Sequence, residues 1–233
     1  MTPQTEPLSP LITRRTALGG LAALLAVAAA SCSSGSVGDD SESIGTTTLA
    51  DPDRPASFAR GETEVFVVGD SLMLGALIDG KVLDLLNFAG YTARVDAVLG
   101  RQVHEGTEVL ASEAAAGRLE PVVMVALGTN NLVYDRPPKR SAKDVDDLMT
   151  TIGPDRWAIW VDLIVPAFTP QDVEFNDMVR AKVEQWPNLT VVDWVSACDP
   201  AWILDDGIHL TAEGYVARAA FCLDTLDAIT KSA

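Results

Sequence analysis

From Glu64 onward the chain alternates short, unbroken apolar runs with longer segments of helical period, and this alternation limits the fold more than any other feature. A run such as Val65-Phe66-Val67-Val68 offers no polar side to either face of a pleat, so both faces of that strand must be covered. The pattern predicts strands at 65–68, 92–98, 122–127, 157–165 and 189–194. Between and after them it predicts helices at 72–89, 104–116, 144–151, 171–185 and 211–229. The segment from Gln171 sets Val173, Val179 and Val183 on one face, and Thr211 and Glu213 are placed to cap the last helix. Strands buried on both faces and joined by helices make an α/β protein, a three-layer α/β/α sandwich around a five-stranded parallel sheet. Ligands bind such sheets at the carboxyl ends of the strands, near the switch in strand order. The loops after Val68, Val98, Leu127 and the fifth strand are therefore where function is expected.

The first 61 residues follow other rules. Arg14 and Arg15 precede Leu18 to Ala30, an almost purely apolar run that ends in small residues, which is the layout of a signal peptide over residues 1–32. As a helix that run reaches only about 20 Å, short of the roughly 30 Å hydrocarbon core, so a membrane span is not expected. The paired arginines resemble a twin-arginine export signal, with the general secretory route as the alternative. Ala29-Ala30-Ser31-Cys32 resembles a lipobox, which would tether the chain to the membrane through Cys32. Cleavage after Ala28-Ala29-Ala30 and release as a secreted protein is the competing reading. Residues 33–61, rich in Ser, Gly, Thr, Asp and Pro, have no apolar period and read as a disordered linker with an end-to-end distance of roughly 30 Å. The folded domain is then 62–233, exported and extracytoplasmic. In that compartment Cys198 and Cys222 could form a disulfide or remain two buried thiols, and the sequence leaves both open.

Acidic residues outnumber basic ones by 33 to 17, for a formal net charge of -16, and such a chain repels nucleic-acid phosphates. The only two histidines, His104 and His209, lie far apart with no Cys or His cluster, so no metal site is expected and nothing calls for a cofactor.

The expected loops carry the unusual residues. Gly69-Asp70-Ser71 places a serine at a strand-to-helix turn, where its hydroxyl can project and its N–H faces a negative charge, although Asp70 or Ser71 as a plain helix cap is the simpler role. Gly100 could bring a backbone N–H close to a substrate, and Asn130, in Gly128-Thr129-Asn130-Asn131, could donate its amide to an oxyanion. Asp206-Gly207-Ile208-His209 sets a carboxylate three residues before a histidine, close enough to orient the imidazole. His104 lacks a turn to aim it and reads as a surface helix residue. Of Trp157, Trp160, Trp186, Trp194 and Trp202, most suit a core. Trp202, near the Asp206 loop, is the candidate floor for a sugar.

Gly69-Asp70-Ser71, Gly100, Gly128-Thr129-Asn130 and the Asp206/His209 pair, in this order and spacing, resemble the blocks of the SGNH hydrolases, also called the GDSL family. The resemblance covers nearly all of residues 62–230 and implies a flavodoxin-like SGNH fold and a serine esterase working through an acyl-enzyme. It implies Ser71 as nucleophile, His209 as base and then acid, Asp206 as its orienting partner, and an oxyanion hole of the Ser71 and Gly100 N–H groups with the Asn130 side chain. Within the family, Gly69 to Ala76, Asp96 to Gln102 and Asp206 to Leu210 resemble the extracytoplasmic SGNH domains of bacterial cell-wall O-acetyltransferases. The resemblance thus implies acyl, chiefly acetyl, esters of cell-envelope carbohydrates as substrates. The alternatives are transfer of acetyl to envelope glycans from a separate membrane donor protein, and an inert glycan-binding domain.

Overall fold

A computed structural model describes residues 63–231; the signal segment 1–32 with Cys32 and the linker 33–61 lie outside the described residues. The described chain forms strands β1 (Glu64–Gly69), β2 (Thr92–Ala97), β3 (Val122–Ala126), β4 (Trp157–Val161) and β5 (Leu189–Val192), all parallel, in the order β2-β1-β3-β4-β5. Helices α1 (Ser71–Ile78), α2 (Val82–Phe88) and α8 (Ala212–Lys231) cover one face, and α3 (Val103–Ala115), α5 (Pro138–Ile152) and α6 (Gln171–Ala181) cover the other. Two short helices, α4 (Thr129–Val133) and α7 (Trp194–Ala197), follow β3 and β5.

Both faces of β1 are buried because alternate residues serve different cores. Val65 and Val67 join Met73, Leu86 and Ala219 on one side, while Phe66 and Val68 join Leu110, Val145 and Leu148 on the other. In α8 the buried residues Tyr215, Ala219, Cys222 and Leu226 recur every three to four positions, which makes one stripe facing the sheet. Cys198 and Cys222 are both free and buried in the same core, two thiols rather than a bridge. Burial pushes the Cys222 thiol up to about 11, so it packs as a small apolar group.

Four expected boundaries shift. The helix expected over 72–89 is two helices, broken at Gly80 and at Lys81 with its left-handed φ of 54°. A side chain at Gly80 would come within 2.4 Å of the Tyr215 carbonyl oxygen, so the break is where α8 lies against this corner. The helix expected from 144 instead starts at Pro138, since a proline in the first turn gives up no helical hydrogen bond. The strand expected to reach Val165 ends at Val161, because the Asn176 side chain takes the Leu163 N–H and carbonyl at 2.8 and 2.7 Å, in place of a neighbouring strand. The fifth strand stops at Val192, and Asp193 caps α7 by accepting the Ser196 N–H at 3.0 Å.

The register fixes where a site can lie. Gly69 of β1 pairs with Ala97 of β2 and with Ala126 of β3, so three strands end flush at the point where the order switches. The loops beginning at Asp70, Val98 and Leu127 therefore leave the sheet side by side.

Candidate active site

Asp70 follows β1 and caps α1, its Oδ1 accepting the Leu72 N–H at 3.0 Å. This is the simple capping role, and it also presents Ser71 as the first residue of the helix, where its side chain is largely buried, 9% exposed. The Asp70 carboxyl is 1% exposed, and burial pushes its pKa up against the opposing pull of the Leu72 N–H and the Arg218 charge.

The imidazole reaches Ser71 from the other end of the chain. His209 Nε2 lies 3.1 Å from Ser71 Oγ, and His209 Nδ1 lies 2.7 Å from Asp206 Oδ2. The other Asp206 oxygen accepts the main-chain N–H groups of Ile208 and His209, both at 2.9 Å, so the carboxylate is locked to the turn that carries the ring. These bonds, the His209 ring first, hold the Asp206 carboxyl below its ordinary value, so it stays ionised at neutral pH. With the proton of Nδ1 directed at Asp206, Nε2 is free to accept from the serine hydroxyl. Gly207 closes the turn at φ +67°, and a side chain there would come within 2.8 Å of the Ala167 N, so only glycine seats this loop against the segment after β4.

The remaining loops leave the same edge of the sheet and reach the serine turn at Asp70. Gly100 has φ +77°, and Asn130 is 6% exposed at the start of α4. Asn130 Nδ2 donates to the Arg101 carbonyl at 3.2 Å and makes a longer contact of 3.4 Å with Asp70 Oδ2. Asn131, fully buried, accepts the Val103 N–H at 3.0 Å and so ties α4 to α3. Beyond Gly100 an open cleft of about 440 Å³ runs along α3, lined by Val98, Leu99, Arg101, Glu105, Glu108, Val109 and Ser112.

The structure thus brings Ser71, His209, Asp206, Asn130 and the Gly100 loop to one edge of the sheet. His104 lies in α3, half-buried with its Nδ1 enclosed, and not on the open surface as expected. Trp202 is half-buried, stacks on Trp194 at 6.5 Å and packs against the core. Arg101, to which no role was assigned from the sequence, is 8% exposed within this edge. Among the described residues no group of three or more His, Cys, Asp or Glu could hold a metal ion, and no helix is long and apolar enough to cross a membrane.

No protein-family model matches the chain. No curated protein matches it either. Solved structures do. The C-terminal catalytic domain of peptidoglycan O-acetyltransferase A from Streptococcus pneumoniae, solved with a methylsulfonyl adduct, is 20% identical at a TM-score of 0.60, over 73% of this chain and 95% of that one. The psychrotrophic esterase EstA from Pseudoalteromonas is 12% identical at a TM-score of 0.58, over 70% and 97%. A lipolytic protein of the G-D-S-L family from Veillonella parvula is 17% identical at a TM-score of 0.57, over 70% and 98%. At these identities the likeness is one of architecture, and by its architecture this chain has the fold of the SGNH/GDSL hydrolases.

Proposed function

We propose that the protein is an exported serine esterase of SGNH type that cleaves acyl esters, acetyl above all, of cell-envelope carbohydrates. The observation that carries this reading is the continuous line Asp206–His209–Ser71, with contacts of 2.7 and 3.1 Å, ending on a serine at a helix N-terminus.

In this mechanism Ser71 Oγ attacks the ester carbonyl carbon while His209 Nε2 takes the hydroxyl proton. Asp206 keeps the ring oriented and stabilises its charged form. The carbonyl oxygen becomes an oxyanion that receives the N–H groups of Ser71 and Gly100 and the amide of Asn130, whose 3.4 Å contact with Asp70 is long enough to be exchanged for a charge-assisted bond. Collapse of the tetrahedral species breaks the ester C–O bond, and the alcohol leaves with the proton held on His209. Water, deprotonated in turn by His209, then attacks the acetyl-serine and frees Ser71.

A carbohydrate hydroxyl in place of that water would make the protein an O-acetyltransferase. The likeness to the O-acetyltransferase domain favours keeping this second reading. Glycan substrates suit the cleft beyond Gly100, where Glu105 and Glu108 can accept hydroxyl protons beside the aliphatic Val98 and Leu99. Export and a lipid tether at Cys32 complete the proposal and are tested by locating the mature chain and weighing its N-terminus.

The decisive experiment incubates the purified protein with 4-nitrophenyl acetate, with and without a glycan acceptor, and follows intact mass and products against Ser71→Ala. Acetyl on Ser71 that passes to water supports the esterase, and acetyl that passes to sugar hydroxyls supports the transferase. No acetylation and no turnover would overturn both and leave the inert glycan-binding domain.

A further inference from the structure

Arg101 enters the sheet edge from the loop after β2. Its Nη1 donates to two main-chain carbonyls, Gly69 at 3.1 Å and Asp96 at 2.7 Å, and its Nη2 donates to Asp96 Oδ1 at 2.5 Å. Gly69 is the last residue of β1 and Asp96 the penultimate residue of β2, so one guanidinium fastens the ends of two strands whose loops begin next to each other. Its own carbonyl accepts the Asn130 amide at 3.2 Å. Three loops that leave the sheet separately are therefore connected through a single residue: the serine turn through Gly69, the Gly100 loop through the backbone of Arg101 itself, and α4 through Asn130.

The chemistry suits arginine and no other side chain. At the end of the ladder the Gly69 carbonyl accepts the Val98 N–H only at 3.3 Å, and carbonyls with two lone pairs have room there for a second donor. A planar fork can serve two of them and a carboxylate at once from a fixed position, whereas a lysine ammonium is a single point of charge on a flexible stem. The residue is 8% exposed, while the Asp96 side chain is 41% exposed, so the carboxylate secures the outer end of the fork from the water side.

We propose that Arg101 is the positioning residue of the oxyanion hole: by fastening the ends of β1 and β2 and taking the Asn130 amide on its carbonyl, it holds the donors of Ser71, Gly100 and Asn130 at one point. The role rests on the esterase reading. Arg101 touches no reacting atom, and its effect falls on the transition state because donors misplaced by a fraction of an ångström still admit the substrate but serve the oxyanion poorly.

The test measures kcat and KM with 4-nitrophenyl acetate, together with Tm, for the wild type, Arg101→Lys, Asn130→Ala and the double variant. Arg101→Lys is expected to lose about 10- to 100-fold in kcat with KM within about threefold. The double variant is expected to lie within about threefold of the weaker single one, because residues acting as a unit do not add. A folded Arg101→Lys with kcat within about threefold of wild type overturns the proposal, as do losses that multiply in full. If Arg101→Lys does not fold, Asp96→Ala removes only the outer brace and is expected to lose about 3- to 10-fold in kcat, again without multiplying with Asn130→Ala. No loss there, or a multiplying one, overturns the proposal equally. A wild-type chain inert toward every ester removes the esterase reading and this role with it, whereas an active wild type beside an unimpaired Arg101→Lys removes this role alone.

Discussion

The carboxyl edge of the sheet has two halves, and both bury polar side chains. Around β1, β2 and β3 these are Asp70, Arg101, Asn130 and Asn131; around β4 and β5 they are Asp162, Asp172 and Asn176. In the second half each side chain is fully engaged in holding a chain segment. Asn176 grips Leu163 at both its N–H and its carbonyl, Asp172 accepts the N–H groups of Val165 and Val173, and Asp162 accepts the Val195 N–H and pairs with Arg180. In the first half the same kind of network ends on the Ser71 hydroxyl, 9% exposed, and on an imidazole that faces water, the His209 side chain being 39% exposed. Buried polarity therefore marks the ends of buried strands generally, while the candidate site is where such a network reaches a half-exposed imidazole.

The comparison breaks outright if the first half can lose its hydroxyl without consequence. Ser71→Ala is expected to reduce kcat/KM on an acetyl ester by about 10⁴-fold or more with Tm nearly unchanged, as read by initial rates and a thermal melt. Asn130→Ala should cost about 10²- to 10³-fold in kcat, the usual loss for one oxyanion donor, and full activity would remove Asn130 from the hole.

The second half predicts the opposite signature. Burial lifts the Asp162 carboxyl to about 6 from an ordinary value of 3.8, against the Val195 N–H and the Arg180 charge. A raised folded-state value means that the folded protein holds the proton more tightly, so this contribution to stability is complete below the ordinary value and is lost as pH rises through about 6. Measured against Asp162→Asn, the wild type should lose on the order of 1–3 kcal/mol of unfolding free energy across that window, while kcat differs less than about twofold. A pH-independent gap between the two would show that Asp162 titrates at its ordinary value. The smallest effect belongs to the exposed Lys143–Asp147 pair on α5, where Lys143→Ala should change stability by no more than about 0.5 kcal/mol.

The strands were legible because a run such as Val122 to Leu127 has no polar residue to give it a wet face. Their ends were not, since Val161 stops β4 only because Asn176, fifteen positions later in the chain, occupies the neighbouring place. The site was legible for a related reason: Ser71, Gly100, Asn130 and His209 each follow a strand or precede a helix, and the topology sends all such loops to one edge. Arg101 was not legible, because its meaning lies in two carbonyls, and every residue has a carbonyl. The break at Gly80 was hidden likewise, since it depends on α8, a helix distant in sequence.

Ser71 and His209 are 138 positions apart, and the histidine stands at the threshold of α8, which lies so close on α1 that any side chain at Gly75 would meet the Tyr215 ring within 2.2 Å. The sheet is complete by Val192, before the imidazole has been made. On the proposed mechanism a nascent or partly unfolded chain carries the serine without its base, and docking of the final helix brings the two together. Closing a contact this distant in sequence costs chain entropy that only packing of the whole domain offsets, so on that mechanism the base meets the serine in the folded domain and not before.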